Sequence, residues 1–231
     1  MAVAMARQFA SQGYAVQLAA RQPEHLAALA SDLHIRYGVS ATSYAFDAGD
    51  FASHSRFYDA LTPKPDVTIC VFGYMADEAM AAKDWDVAWR MIHTNYVGAV
   101  SILQVIAQEY AQRQAGTIVG ISSVAGDRGR ASKLIYGSSK AGFSAYLSGL
   151  RNKLATAGVH VLSVKPGFVY TRMTAGMTLP PLLIATPEQV ALAVYHAVVR
   201  RKNTLYVKWM WRWIMLVIRL IPEPFFKKLH L

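Results

Sequence analysis

The sequence predicts an α/β fold with a doubly wound parallel sheet, and three observations carry this expectation. Helix-type and strand-type hydropathy patterns alternate along almost the whole chain of 231 residues. Strands such as residues 67–72 and 117–121 are almost wholly apolar, as expected when helices cover both faces of a sheet. A hydrophobic content of 54% against 16% charged residues indicates a large buried core.

The predicted elements follow one another with short connections. Pro23 at a helix start and Gly13 after a helix end support the boundaries. Helices are expected over residues 1–12, 23–37, 51–61, 84–112, 136–157 and 187–201. Strands are expected over residues 14–19, 42–46, 67–72, 117–121, 159–164 and 205–207. We therefore predict one domain over residues 1–207 and a tail over residues 208–231.

The usual first strand of such a sheet is missing from this pattern. A doubly wound nucleotide-binding sheet normally begins with a strand and a Gly-rich turn that holds a pyrophosphate at a helix amino terminus. This chain begins within that helix, and its first glycine, Gly13, lies at the far end. Because the missing strand is central, we expect two unpaired strand edges. We expect roughly 10–15 further residues upstream in the native protein; a divergent fold without that strand is the alternative.

The positive charge of the chain is concentrated in its tail. Residues 200–231 hold eight Lys/Arg and one acid, which leaves 16 basic and 13 acidic residues elsewhere. On a helix over residues 205–221, Lys208, Arg212 and Arg219 form one narrow stripe among apolar residues. Such a helix suits a membrane interface with anionic headgroups; packing on the domain or on a partner is the alternative. The apolar neighbours of these cations argue against nucleic acid.

The expected compartment is the cytoplasm. The single cysteine, Cys70, excludes an intrachain disulfide and suits a reducing environment. Residues 1–10 lack the order of basic, apolar and small residues that marks a secretory signal. With the basic tail, this predicts a cytoplasmic protein that is peripheral on the inner face of the membrane.

Two neighbouring segments carry the residues expected to perform chemistry. Ser123 follows a predicted buried strand, and Tyr136 and Lys140 lie four residues apart on a predicted helix. Residues at this spacing share a helix face, so the ammonium is expected to lower the pKa of the phenol from about 10. Tyr136 would then donate a proton to a carbonyl or accept one from an alcohol. The side chain of Ser122 should point the other way.

The stretches Gly120–Gly126 and Tyr136–Lys140 resemble the active-site signature of the short-chain dehydrogenase/reductase family, which has a Rossmann-like sheet. The resemblance implies an enzyme that interconverts a ketone and a secondary alcohol with NAD(P). It also implies that Ser123 binds the substrate oxygen, that Tyr136 transfers the proton and that Lys140 also holds the nicotinamide ribose.

Further positions match the family around this core. Asn95 matches an asparagine that supports a water-linked proton relay, and a structural asparagine in a kinked helix is the alternative. The family motif Asn-Asn-Ala-Gly is replaced by Cys70–Gly73, which keeps only the glycine. The backbone path near the adenine ribose is therefore expected to be kept without the side-chain bonds that stiffen it. Members of the family commonly form dimers or tetramers, so we expect a homo-oligomer.

The resemblance also implies cofactor contacts. The matching positions are Tyr136 and Lys140 at the ribose, Asp47 at the adenine, Gly73 at the adenine ribose, and Pro166, Gly167, Val169 and Thr171 at the nicotinamide. An acidic residue after the second strand would bind the ribose 2′-hydroxyl, as in NAD enzymes. This chain has Arg21 there, which can pair with a 2′-phosphate. We expect NADP, with NAD as the alternative, and no metal.

Some segments point to a narrower group. Residues 120–130, 146–151 and 209–231 are similar to decaprenylphosphoryl 2-keto-ribose reductases, which reduce a keto-sugar on a polyprenyl phosphate. The apolar, Met-bearing loop over residues 172–185 lies where the family closes over substrate, which suits a lipid-like substrate. We therefore expect a hydrophobic or lipid-linked, keto-sugar-like substrate. The alternative is a catalytically impaired member that serves as a membrane-docked scaffold, which the absent Gly-rich loop favours and the intact Ser, Tyr and Lys oppose.

Overall fold

A computed structural model of the chain describes residues 1–171 and 180–229. Strands and helices alternate in the predicted order. The strands are β1 (Val16–Ala20), β2 (Ala41–Ala45), β3 (Val67–Cys70), β4 (Thr117–Ile121), β5 (His160–Pro166), β6 (Phe168–Val169), β7 (Ile184–Ala185) and β8 (Thr204–Val207). The helices are α1 (Ala2–Ala10), α2 (Ala27–Tyr37), α3 (His54–Ala60), α4 (Glu78–Lys83), α5 (Trp85–Ile92), α6 (Ala99–Arg113), α7 (Leu134–Leu154), α8 (Pro187–Val199), α9 (Met210–Leu220) and α10 (Glu223–Phe226).

Parallel pairing organises the strands, as the sequence predicts. One sheet has the strand order β3-β4-β5-β8, and β1 pairs with β2 in a separate two-stranded sheet. Within the described residues no strand lies between β1 and β3, and the two sheets do not hydrogen-bond to each other. The expectation of a doubly wound sheet that lacks its central strand is therefore confirmed.

Helices cover both faces of the larger sheet. Alternate residues along β4 and β5 enter two different cores, because successive side chains of a strand point to opposite faces. Ile118 and Val161 join a cluster with residues of α3, α6 and α7. Val119 and Leu162 join a second cluster with residues of α1 and α8. This burial on both faces explains the consecutive apolar residues in both strands, such as Ile118–Val119 and Val161–Leu162.

The long helix predicted over residues 84–112 is interrupted. A π-helical segment, His93–Gly98, separates α5 from α6, and Asn95 lies within it, buried. Such segments interrupt α-helices most often at functional sites. At the end of the segment, a Cβ on Gly98 would lie 2.3 Å from the carbonyl oxygen of Ala48, so only glycine fits there. The sequence pattern does not reveal the interruption, because the apolar spacing continues through it.

The tail helix begins later than expected, whereas the strand predicted over residues 205–207 is present. Residues 204–207 form the edge strand β8 and α9 begins only at Met210, so Lys208 is not part of the helix and does not continue its basic stripe. The two prolines after α9 end it as expected, and the short α10 follows. No helix within residues 1–171 and 180–229 is long and apolar enough to cross a bilayer.

One face of α9 packs on the body of the protein. Trp211 and Met215 are buried in a cluster with Val124 and Phe168. The indole lies so close to Gly167 that a Cβ there would come within 2.0 Å of it. The Trp211 Nε1 donates a hydrogen bond to the carbonyl of Leu183 at 3.1 Å.

Arg128 holds the end of α9. Its guanidinium donates to the carbonyl oxygens of Ile218 and Ile221, at 2.6 Å each, and to the carboxylate of Glu223 at 2.9 Å. It also lies 3.6 Å from the ring centroid of Phe226. A cation at a helix carboxyl terminus satisfies the free carbonyls and opposes the helix dipole. The tail is therefore joined to the loop that follows β4.

Candidate active site

The end of β4 places Ser123 at the carboxyl edge of the larger sheet. Ser123 is extended and buried, and its Oγ accepts a hydrogen bond from the amide of Ala125 at 3.1 Å. The neighbouring Ser122 points to the opposite side, where its Oγ donates to the carbonyl of Lys140 at 2.9 Å and contacts the Oγ of Ser144 at 2.7 Å. Ser122 therefore fastens α7 to β4, and Ser123 remains the serine directed at the site.

Tyr136 and Lys140 lie on one face of α7, as their spacing predicts. The Nζ of Lys140 is 5.9 Å from the ring centroid of Tyr136 and donates to the carbonyl of Ile121 at 3.1 Å. Lys140 is buried, and Gly126 packs against its backbone: a Cβ on that glycine would come within 2.7 Å of the carbonyl carbon of Lys140. Ser123, Tyr136 and Lys140 thus meet where α7 crosses the end of β4.

The electrostatics of the pair differ from the sequence expectation. Burial raises the pKa of Tyr136, and only the side-chain interaction with Ser123 acts to lower it. Burial also lowers the pKa of Lys140 to about 8. The expected lowering of the phenol pKa by Lys140 is therefore wrong for the protein alone, because desolvation disfavours both charged forms and the ammonium points to Ile121.

Asn95 ties three elements together. Its Oδ1 accepts from the amide of Tyr74 and its Nδ2 donates to the carbonyl of the same residue, both at 2.7 Å. The Nδ2 also lies 3.3 Å from the Oγ of Ser139 on α7. Both ends of the side-chain amide are occupied by protein groups, so any part in a proton relay would involve the backbone of the π-helical segment.

Two of the residues matched to the adenosine half, Arg21 and Asp47, line one cavity, whereas Gly73 lies beside Asn95 and Lys140. Arg21, directly after β1, and Asp47, shortly after β2, border a cavity of about 470 Å³. The Oδ1 of Asp47 accepts from the amide of Gly49 at 2.9 Å. Arg56 on α3 lines the same cavity. Sequence reasoning missed this second cation, because nothing in a helical pattern indicates that α3 turns Arg56 toward Arg21.

The residues matched to the nicotinamide half follow β5. Pro166 ends this strand and is buried, Gly167 contacts the indole of Trp211, Val169 lies in β6 and Thr171 follows it, half-buried. Gly73 is exposed, and a Cβ there would lie 3.1 Å from the Oδ1 of Asn95 and 3.5 Å from the Nζ of Lys140. The missing Cβ leaves room beside an ammonium whose one protein hydrogen bond, within the described chain, is to Ile121. This space and the ammonium donor fit a sugar hydroxyl.

The predicted substrate loop is only partly described. Met173, Met177 and Leu179 lie outside the described residues. The end of the loop returns to the body, where β7 pairs with β6 and the carbonyl of Ala185 accepts from the amide of Tyr170 at 3.0 Å. Trp211, which was not assigned to the site from the sequence, contacts both Gly167 and Leu183 and so joins the two ends of this loop.

Comparison with known proteins assigns the chain to a family. It matches the sequence model described as short chain dehydrogenase over residues 1–180. It is 37% identical over 222 residues to an uncharacterized oxidoreductase of Mycobacterium tuberculosis, which covers 95% of this chain and 88% of that protein. It is 34% identical over 230 residues to an uncharacterized oxidoreductase in the mprA 5′ region of Streptomyces coelicolor, with 98% and 90% covered.

The fold agrees with this assignment. A short-chain dehydrogenase from Sphingobium yanoikuyae in complex with NADPH has a TM-score of 0.81 to this chain at 23% identity, over 95% of this chain and 91% of that one. The chain belongs to the short-chain dehydrogenase family. It is an oxidoreductase that acts between an alcohol carbon and a carbonyl.

The buried ammonium predicts a pH-dependent stability. We expect Lys140→Met to raise the free energy of unfolding at pH 7, because such a lowered lysine pKa corresponds to a cost on the order of 3 kcal/mol. The cost is fully present below pH 8, where Lys140 is charged in the folded and unfolded states, and it vanishes as the pH rises to the ordinary value of 10.5.

Urea unfolding between pH 7 and pH 10.5 measures this effect. The control is Lys153→Met, an exposed lysine on the same helix, for which the difference from the unsubstituted protein should not change with pH. A difference between Lys140→Met and the unsubstituted protein that stays constant over this range would show that Lys140 keeps an ordinary pKa.

Proposed function

We propose that this oxidoreductase interconverts a ketone and a secondary alcohol with NAD(P), and that Ser123, Tyr136 and Lys140 carry the reaction. One observation carries the assignment of these residues: the three polar side chains meet at the end of β4. Lys140 is buried there with little other compensation for its charge, and groups with perturbed pKa values cluster at functional sites.

We propose a separate task for each side chain in the reduction. Ser123 donates a hydrogen bond to the carbonyl oxygen and Tyr136 donates the proton that this oxygen needs to become a hydroxyl. The nicotinamide cofactor supplies the hydride to the carbonyl carbon when it is bound. Lys140 holds a ribose hydroxyl and stabilises the phenolate that remains. Burial raises the pKa of Tyr136, which opposes release of the phenol proton, so the transfer depends on the positive charge of Lys140 near the phenolate that forms.

Removal of the phenol tests this proposal. We expect Tyr136→Phe to lower turnover of a ketone about 10²–10⁴-fold, the usual contribution of a general acid, while NADPH binding changes little. Tyr146→Phe on the same helix is the matched control. The hydroxyl of Tyr146 is buried without a hydrogen-bond partner in the described chain, so its loss should leave turnover intact. Steady-state kinetics and fluorescence titration measure both, and unchanged turnover in Tyr136→Phe would refute the assignment.

We infer that the preferred cofactor is NADP. Arg21 stands where an acidic side chain would favour NAD, and Arg56 lines the same cavity. Two guanidinium groups suit a 2′-phosphate, which accepts several charge-assisted hydrogen bonds. Asp47 and Asp50 in the same cavity reduce this positive potential, so NAD remains the alternative.

We further propose that the gap between β1 and β3 receives another strand, followed by a Gly-rich turn, from residues upstream of Met1. The support is the split sheet: the facing edges of β1 and β3 have no strand partner in the described chain. Unpaired edges within a core are costly, and a central strand would satisfy both. The turn after it would reach the diphosphate of the cofactor.

Titrations test the cofactor and the strand together. We expect NADPH to bind more tightly than NADH, and Arg21→Asp to weaken NADPH binding about tenfold or more through loss of a charge-assisted bond. Arg200→Asp, an exposed charge at the end of α8, is the control. A protein extended by its native upstream residues should bind more tightly than the chain alone. Binding by neither form would favour the scaffold alternative, and equal binding by both forms would contradict the added strand.

We propose a hydrophobic or lipid-linked substrate, such as a keto-sugar on a polyprenyl phosphate. The support is the resemblance of residues 120–130, 146–151 and 209–231 to reductases of that kind. The described end of the substrate loop, Pro180–Leu183, is apolar, and Leu182 is 69% exposed beside the site. Exposed apolar side chains at a site entrance favour a substrate with a hydrocarbon portion.

We also propose that α9 docks on an anionic lipid surface. The side chains that α9 turns away from the body form an outer stripe: Trp209, Trp213, Leu216, Val217 and Leu220. They are between 43% and 72% exposed. Arg212 and Arg219 are exposed on the same helix, and Lys227 and Lys228 follow it. Tryptophan and leucine flanked by cations match the chemistry of a bilayer interface with anionic headgroups.

Vesicle sedimentation tests the outer stripe. We expect binding to phosphatidylglycerol vesicles that weakens with salt, and a loss of tenfold or more in Leu220→Glu, because a charge replaces a leucine that would enter the bilayer interface. Ile35→Glu is the matched control, since Ile35 on α2 is 81% exposed and far along the chain from the tail. Equal binding by both variants would contradict the proposal. So would a dimer that Leu220→Glu abolishes, because the stripe would then be a contact between copies.

A further inference from the structure

We propose that Glu78 is a positioning residue for Tyr136: its carboxylate on α4 holds the first turn of α7, which carries the phenol. This inference rests on the proposed role of Tyr136. Glu78 lies far from Tyr136 in sequence and outside the segments that carry the family signature. It concerns how the proton donor is held in place and not which group transfers the proton.

The contact is bidentate and reaches Tyr136 itself. The Oε1 of Glu78 accepts a hydrogen bond from the backbone amide of Tyr136 at 3.0 Å. The Oε2 accepts one from the amide of Ile135, also at 3.0 Å. Both distances are typical of N–H···O bonds, and bonds to a charged acceptor are the stronger class.

The amino terminus of α7 has no other side-chain cap in the described structure. Lys133 occupies the N-cap position and its side chain makes no capping bond. The first amides of a helix have no partner within the helix, and a carboxylate both accepts from them and opposes the positive end of the dipole. Glu78 therefore supplies from another helix the cap that α7 lacks in its own sequence.

The carboxylate is itself held in place. Glu78 is the first residue of α4, and Asp77 caps this helix by accepting from the amides of Ala79 and Met80. The segment before α4 is fixed at Tyr74, whose backbone amide and carbonyl both bond to Asn95. The short segment between Tyr74 and Glu78 is therefore held at both ends, by Asn95 at Tyr74 and by the Asp77 cap at the start of α4.

Hydrogen bonds hold the backbone of Tyr136 on both sides. Glu78 accepts from the amide of Tyr136, and the Oγ of Ser139 donates to its carbonyl at 2.8 Å. The Nδ2 of Asn95 contacts the hydroxyl of Ser139. Asn95 also bonds to Tyr74, which begins the short segment that leads to Glu78. Apolar packing follows the same path, since Ala81 and Met91 cluster with Tyr136. The backbone of the proton donor is therefore held at both its amide and its carbonyl.

Removal of the carboxylate should reduce catalysis without removing a reacting group. Displacement of a catalytic group by about 1 Å can lower turnover about 10²-fold. We expect Glu78→Ala to lower kcat about 10- to 100-fold, with KM for the ketone and the Kd of NADPH changed less than threefold. Glu78→Gln keeps an acceptor oxygen and should retain an intermediate kcat. The matched control is Asp84→Ala, which removes a carboxylate cap on α5 and keeps the backbone bond that ends α4.

Hydrogen exchange gives a readout that does not need turnover. In the unsubstituted protein the amides of Ile135 and Tyr136 should exchange slowly, and Glu78→Ala should accelerate both at least tenfold, with Asp84→Ala leaving them unchanged. Slow exchange in all three proteins would overturn the inference, as would a kcat for Glu78→Ala within twofold of the unsubstituted value. An inactive unsubstituted protein would refute the proposed function instead, while the exchange rates would still decide whether Glu78 holds α7.

Discussion

The site depends on the contact between the end of β4 and the first turns of α7. Ser122 donates to the carbonyl of Lys140, and Lys140 donates in return to the carbonyl of Ile121. Gly126 brings the following loop against α7 with no room for a Cβ. These contacts fix the helix against the strand and thereby set the distance between Ser123 and Tyr136. The two adjacent serines have different contacts, since Ser122 bonds to α7 and Ser123 points toward the site.

The same contact explains why Ser123, Tyr136 and Lys140 lie together although β1 and β2 form a separate sheet. Ser123 follows β4, and Tyr136 and Lys140 lie on α7, which packs against the β3-β4-β5-β8 sheet. Arg21 and Asp47 follow strands of the separate β1-β2 pair. The arrangement of Ser123, Tyr136 and Lys140 therefore depends on local β4–α7 packing, whereas the position of Arg21 and Asp47 relative to them depends on how the two sheets are joined. A buried, poorly compensated Lys140 is tolerated because the complete cores on both faces of the larger sheet supply stability.

The features that depend on local sequence periodicity could be predicted. The apolar runs of β4 and β5 and the spacing of Tyr136 and Lys140 each have a local cause, so the strands, α7 and the shared helix face could be predicted. The π-helical segment could not, because it arises from contacts of Asn95 and Gly98 with distant backbone. The direction of the pKa shift of Tyr136 was also beyond reach, since it follows from burial by α4 and α5, elements that only the fold brings there.

One missed feature carries a signal that sequence reasoning could have used, and another does not. Asp77 before an Ala-rich stretch is a helix N-cap pattern, so α4 was in principle predictable. The strand predicted over residues 205–207 is present as β8, which pairs with β5, whereas the start of α9 at Met210 carries no signal within this apolar stretch. Lys208 consequently adopts a left-handed conformation at the junction and leaves the predicted stripe.

The loop after Ser123 links the site to the tail, and this link bears on the proposed lipid surface. Asp127, with its side chain only 2% exposed, pairs with Lys165 and accepts from the hydroxyl of Tyr206 at 2.7 Å. The next residue, Arg128, holds the carboxyl end of α9. Because Ser123 begins this loop, only a few residues of backbone separate the proposed catalytic serine from the residue that holds α9. A helix docked on a lipid surface would thus present the site at a fixed height above that surface, which is what a substrate with its polar head at the interface requires.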